Sequence, residues 1–217
     1  MRKLGAVRVK RVAAIVVSLL GVSTAASAQT GSSPTRVTAE GLTELHNYSR
    51  CVVRDRPGRV QQVLAIGQDD PGYDEALEAL AVQAAGCTRG RLAAGGILFA
   101  GTLAEHLVVR RLGGRNLAAA TGLDPAAPPL QASNGQEYMA LCQVRAHPDK
   151  VAALFATQPG SREEARAMAA MQPDLQACLP QGVNASFNRP ALRALLAMAS
   201  LRLINHRTAR ASASADE

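Results

Sequence analysis

Two cysteine pairs of identical spacing constrain this chain more than any other feature. Cys51 and Cys87 are 36 positions apart, Cys142 and Cys178 are also 36 apart, and the pairs are offset by 91. At that offset Val53 falls on Val144, Arg54 on Arg145, Pro57 on Pro148 and Val60 on Val151. Ala65, Ala76 and Ala79 fall on Ala156, Ala167 and Ala170, so that, with the cysteines, 9 of 37 positions are identical without a gap. Val63/Leu154, Leu64/Phe155, Leu77/Met168 and Leu80/Met171 are apolar exchanges. Chance rarely keeps both cysteines, a proline and the apolar spacing together. The pattern predicts a tandem duplication over about 39–111 and 134–206.

The two copies parse alike. Leu42, Leu45 and Tyr48 step along one helical face before Cys51, and Tyr138 and Leu141 do so before Cys142. Ser133 with Gln136 fits a capping box for the second version. Pro57 and Pro148 each open a short second helix, where the missing N–H costs little. A third helix is predicted from Asp70, with Pro71 at N1, and from Ser161, with Glu164 three residues on. A fourth, more apolar, follows in each copy; in the second it starts at Asn188. With 42 Ala, no Trp and 3% aromatics, the composition favours helices over a β-sandwich. The expected fold class is all-α, a duplicated four-helix unit with each copy stapled by one disulfide.

The fourth helices hold the densest apolar content, around Ile97–Val108 and Leu192–Leu203. It spreads wider than one stripe, and Gly96, Ala100 and Ala104 recur every four residues. These helices are expected to pack on each other and join the copies.

The compartment follows from the N-terminus. Arg2, Lys3, Arg8, Lys10 and Arg11 precede an apolar run, Val12–Val22, and then Ala26-Ser27-Ala28. That is the plan of a secretory signal peptide over 1–28, cleaved before Gln29. Those five cations explain most of the net charge of +7; without them the balance is +2. A nucleic-acid partner is therefore not expected. The uncharged stretch Leu92–Ala104 is only 13 residues and holds three glycines, so no transmembrane segment is expected after cleavage. The expected location is periplasmic or secreted, where four cysteines form disulfides. A duplicated unit carried its own pairing before it was copied, which selects Cys51–Cys87 and Cys142–Cys178. The remaining organisation is an N-terminal segment 29–38, a linker 112–133 around Pro128-Pro129, and a flexible tail 207–217.

Chemistry is sparse. The chain has no G-x-S-x-G, H-E-x-x-H, Walker or S-x-x-K motif. Two Cys and two His per copy match a zinc-finger count, but His46 falls on Glu137 and His147 on Arg56, so the histidines do not repeat with the cysteines. No metal, cofactor or catalytic residue is assigned, and the histidines read as surface polar groups. Arg54 and Arg145 do repeat, within C-x-V-R-x-x-P. Each either complements a helix C-terminus or contacts an anion or a partner.

The C-x-V-R-x-x-P motif, Pro159-Gly160-Ser161-x-Glu163-Glu164 and Phe187-Asn188-Arg189-Pro190-Ala191-Leu192-Arg193 carry a resemblance across both copies. With them the chain resembles a loose group of uncharacterised exported alphaproteobacterial proteins. The resemblance implies an envelope location and this architecture, and brings no catalytic residue. The expected function is a non-catalytic exported module binding a protein or envelope partner. The alternative is an envelope enzyme with a site between the copies, built from residues such as His46, His106 or His147. A third possibility is a module touching membrane through its fourth helices.

Overall fold

The computed structural model describes residues 37–87, 96–121, 130–179 and 187–213. The expected signal peptide and cleavage site, Pro128-Pro129 of the expected linker and the last four residues of the expected tail lie outside them. Among the described residues the chain is all-helical. The order is α1 Ala39–Asp55, α2 Pro57–Ala65, α3 Tyr73–Gln83, a 3₁₀ turn Ala85–Cys87 and α4 Gly96–Leu112. Then follow α5 Leu117–Thr121, α6 Gly135–Ala146, α7 Pro148–Phe155, α8 Arg162–Ala177 and α9 Arg189–Ala213.

Local chemistry sets the boundaries. Pro57 and Pro148 stand at the first turns of α2 and α7, as expected. Ser161 caps α8 through the Glu164 N–H at 3.0 Å, and Asn188 caps α9 through the Ala191 N–H at 2.9 Å. Two expected starts shift. The capping box of α6 is Asn134 with Glu137, whose carboxylate reaches back to the Ser133 N–H at 2.8 Å; it lies one residue after the Ser133–Gln136 frame. Asp70 does not cap α3. It accepts the Gly72 N–H at 2.8 Å in a local turn, and the helix begins at Tyr73.

The centre of the fold is α4 crossing α9, with α1 packed on α4 and α6 on α9. The crossing is close because Gly101 has no side chain. A Cβ there would lie 2.2 Å from the Ala194 Cβ and 2.4 Å from the Ala194 Cα. The fourth helices thus meet as expected, but the residue that permits the contact is Gly101, not Gly96, which faces Leu77 of α3. Leu103, Ala104, Leu107, Val108, Leu196 and Ala197 are all fully buried around this axis. That accounts for apolar content wider than one stripe: both helices are core on nearly every side.

Disulfides tie the outer helices. Cys51–Cys87 joins α1 to the 3₁₀ turn, and Cys142–Cys178 joins α6 to the C-cap of α8. Each closes 36 positions and stabilises by about 4 kcal/mol on the chain-entropy estimate. Within the stretch expected as linker, α5 forms and buries Leu117 and Thr121. The expected flexible tail is helical as far as Ala213, and Arg207 donates to the Ala119 carbonyl at 2.8 Å. No helix among the described residues is long and apolar enough to cross a membrane.

Candidate functional site

The α7–α8 turn is held against the α4–α9 axis by one arginine. Arg193, on α9, is 4% exposed. Its Nε and Nη2 donate to Glu105 of α4 at 2.8 and 2.7 Å, a bidentate pair. Nη1 donates to Glu164 of α8 at 2.9 Å and to the Thr157 hydroxyl at 3.1 Å. Nη2 also reaches the Thr157 carbonyl at 3.1 Å. The second Glu164 oxygen accepts the Gly160 N–H at 2.9 Å. Gly160 has φ of 77°, and a Cβ there would meet Ala39 at 2.9 Å, so glycine is what lets the turn seat against α1. Burial opposes the charge on Arg193, but Glu105 and Glu164 outweigh it and hold the guanidinium above its usual pKa. Burial pushes the Glu105 carboxyl up, against the pull of Arg193.

Above this network lies a cleft of about 480 Å³. Helices α1 and α4 supply one side, with His46, Arg50, Arg54, His106 and Arg110. The α7–α8 turn supplies the other, with Phe155, Thr157 and Pro159. The two imidazole rings sit edge to face, centroids 5.6 Å apart. His106 Nε2 lies 2.9 Å from the His46 carbonyl oxygen. A carbonyl only accepts, so Nε2 carries the proton and, in the neutral ring, Nδ1 keeps its lone pair. Burial pushes His46 down to about 3, helped by Arg193, His106 and Arg50. Burial likewise pushes His106 down to about 4, partly offset by its bond to the His46 carbonyl. Both rings are therefore neutral at pH 7.

The cleft's cations divide into two kinds. Arg54 pairs with Asp55 at 2.7 Å, in the open. Arg50 and Arg110 have no carboxylate partner among the described residues. Arg50 bonds Asn47 at 2.7 Å, and Arg110 bonds the Val53 carbonyl at 3.3 Å. Each keeps further N–H groups free to donate. Val109, beside Arg110, is 53% exposed.

The sequence-derived candidates are scattered by comparison. Arg54 lines the cleft, whereas Arg145 stands half-buried in the last turn of α6, outside it. Both occupy helix C-termini, where a cation is favoured. The expectation that the histidines are surface groups is overturned for His46, which is 6% exposed, and His106, which is half-buried. His147 is elsewhere, 3.5 Å from Asp174 and next to Lys150. His206 lines a second cleft of about 440 Å³ between the α2–α3 turn and α6–α9, where Glu137 pairs with Arg202. Cys51, Asp55 and Cys87 cluster at the surface, but both sulfurs are in a disulfide and offer no thiolate.

Sequence reasoning assigned no site role to Arg193, Glu105, Arg50 or Arg110. A signal for the first two was present: each is a charge inside a strongly apolar helix, and such charges are paired when buried. In comparison with known proteins, no family model, curated protein or solved structure matches the chain.

Proposed function

We propose that this protein is an exported, non-catalytic helical module of the periplasm or secreted fraction. It binds an envelope partner through the cleft between α1, α4 and the α7–α8 turn. The observation that carries this reading is the pairing state of the cleft's charges. Among the described residues, the one carboxylate lining it, Glu105, has both oxygens engaged by Arg193, while Arg50 and Arg110 are without an acid. Such a cleft attracts a partner's negative group from outside.

The module is a duplication in this reading. Supporting it, α1 and α6 end at positions 55 and 146, an offset of 91. The junction residues Arg56 and His147 share φ of −136°, with ψ of 50° and 54°. The two clefts also correspond: His46 and Phe155 line the first, and Glu137 and Leu64, their counterparts at the same offset, line the second. Each cleft takes its far wall from the other copy's short turn. The basic, apolar and small-residue plan of residues 1–28 supports export. So do the two disulfides.

Photo-crosslinking in intact cells tests the reading. A photoreactive amino acid replaces Val109, at the cleft, or Val82, which is 69% exposed and lies on α3 outside it. A discrete adduct is expected from position 109 and none from 82. Equal yields from both positions, or none from 109, would refute it.

A second reading, an envelope enzyme using this same cleft, draws on the juxtaposition of His46 and His106 and the lone pair on His106 Nδ1. Turnover of an ester, amide or phosphoester panel that is lost in His106→Gln would favour it over simple binding.

A further inference from the structure

The cleft's walls say more than that its mouth is cationic. At its floor the single charge of Arg193 is matched by two carboxylates, Glu105 and Glu164, so no further negative charge is welcome at depth. The imidazoles beside it carry no charge to offer. The sides are apolar: Val53, Val109, Phe155 and Pro159. A bare inorganic anion would leave those sides wet, and a neutral apolar molecule would leave the two arginines unused. The volume of about 480 Å³ falls within the usual range for a small-molecule site.

We infer that the cleft takes a carboxylate at one end of an apolar body. Arg50 and Arg110 hold the carboxylate at the mouth, and the body lies along Val109, Phe155 and Pro159. The inference rests on reading this cleft as the binding site. The same chemistry has two sources, a free apolar carboxylic acid or the C-terminal residue of a partner chain, and the test separates them.

The test is calorimetric titration of the processed chain with four probes and a control. The probes are 3-phenylpropionate, its amide, an acetylated tripeptide ending in leucine with a free carboxylate, and the same peptide amidated; inorganic phosphate is the control. Saturable one-to-one binding is expected for at least one of the two acids. Its amide should bind about 10-fold more weakly or worse, as loss of a charge-assisted pair implies. Arg50→Gln and Arg110→Gln, both at exposed positions, should each weaken the acid about 10-fold. Arg59→Gln, at an exposed position of α2 outside the cleft, should leave it unchanged. Thermal melts of each variant confirm that the fold is retained. Binding of 3-phenylpropionate identifies a free acid as sufficient; binding of the peptide acid alone identifies a chain end. The inference is overturned if neither acid binds, if acid and amide bind alike, if phosphate matches the acids, or if the arginine variants bind as the parent does. Should the acids fail while position 109 still crosslinks, only the ligand class falls and the partner reading stands.

Discussion

Arg193 and Glu105 form a bidentate ion pair across the α4–α9 crossing, with side chains 5% and 6% exposed. With Glu164, the pair joins α4, α8 and α9 by charge, and Arg193 also holds the α7–α8 turn through Thr157. Removing its cation strands two buried carboxylates. Arg193→Met should therefore destabilise by about 3–5 kcal/mol. The triple variant Arg193→Met, Glu105→Leu, Glu164→Gln should recover most of that loss, since no unpaired charge is left. Urea unfolding midpoints at constant slope decide it; a mild effect of Arg193→Met alone would show that the network contributes little to stability.

Gly101 and Gly58 make a controlled pair. Both lie in helices, where alanine has the higher propensity, by up to about 1 kcal/mol. At Gly58 an added Cβ meets nothing within 4 Å, so Gly58→Ala should be neutral or stabilising. At Gly101 it meets Ala194 backbone as well as side chain, so the helices must separate. Gly101→Ala should cost about 1–3 kcal/mol, the usual range for overpacking, and Ala194→Gly should not rescue it. Thermal unfolding of the four proteins would show whether the crossing is as tight as this.

Acid should destabilise the fold through His46. In the unfolded chain an imidazole titrates near 6.5, whereas in the fold His46 titrates at about 3, beneath burial, Arg193, His106 and Arg50. Between those values the unfolded state binds a proton that the folded state refuses. Stability is thus intact above pH 6.5 and falls as pH drops towards 3. By pH 4 the loss from this group is about 3 kcal/mol. His106, at about 4, adds in the same direction. Stability measured from pH 7 to 4 should decline less steeply in His46→Leu; identical slopes would place the acid sensitivity elsewhere.

Gln143 is fully buried on α6, and its amide has no hydrogen-bond partner among the described residues. Val52 stands at the corresponding position of α1. Gln143→Met keeps the shape and removes the stranded polar atoms, so it should stabilise by about 1 kcal/mol. A loss of stability on that substitution would mean that the amide has a function the packing does not explain.

What could be foreseen from the sequence was local or periodic. Paired spacing gave the disulfides Cys51–Cys87 and Cys142–Cys178. Pro57, Pro148, Ser161 and Asn188 marked helix starts because proline and short polar side chains act within a turn. The excess apolar content of the fourth helices announced their mutual burial. The cleft was not foreseeable in the same way. Glu105 and Arg193 are 88 positions apart and Phe155 lies on neither helix; only the crossing at Gly101 brings them together. His46 lies one turn after Leu42, beside the apolar face of α1, yet it reads as a surface residue between Glu44 and Asn47 because its partner His106 is 60 positions away.

The reading of the cleft as a partner site is tested most directly by photo-crosslinking from Val109 in an Arg50→Gln, Arg110→Gln background, compared with the parent chain in the same cells. The account predicts that the adduct formed by the parent disappears in the double variant while expression and folding are unchanged. An adduct of undiminished yield would contradict it, because the partner would then be held without the two arginines on which the site depends.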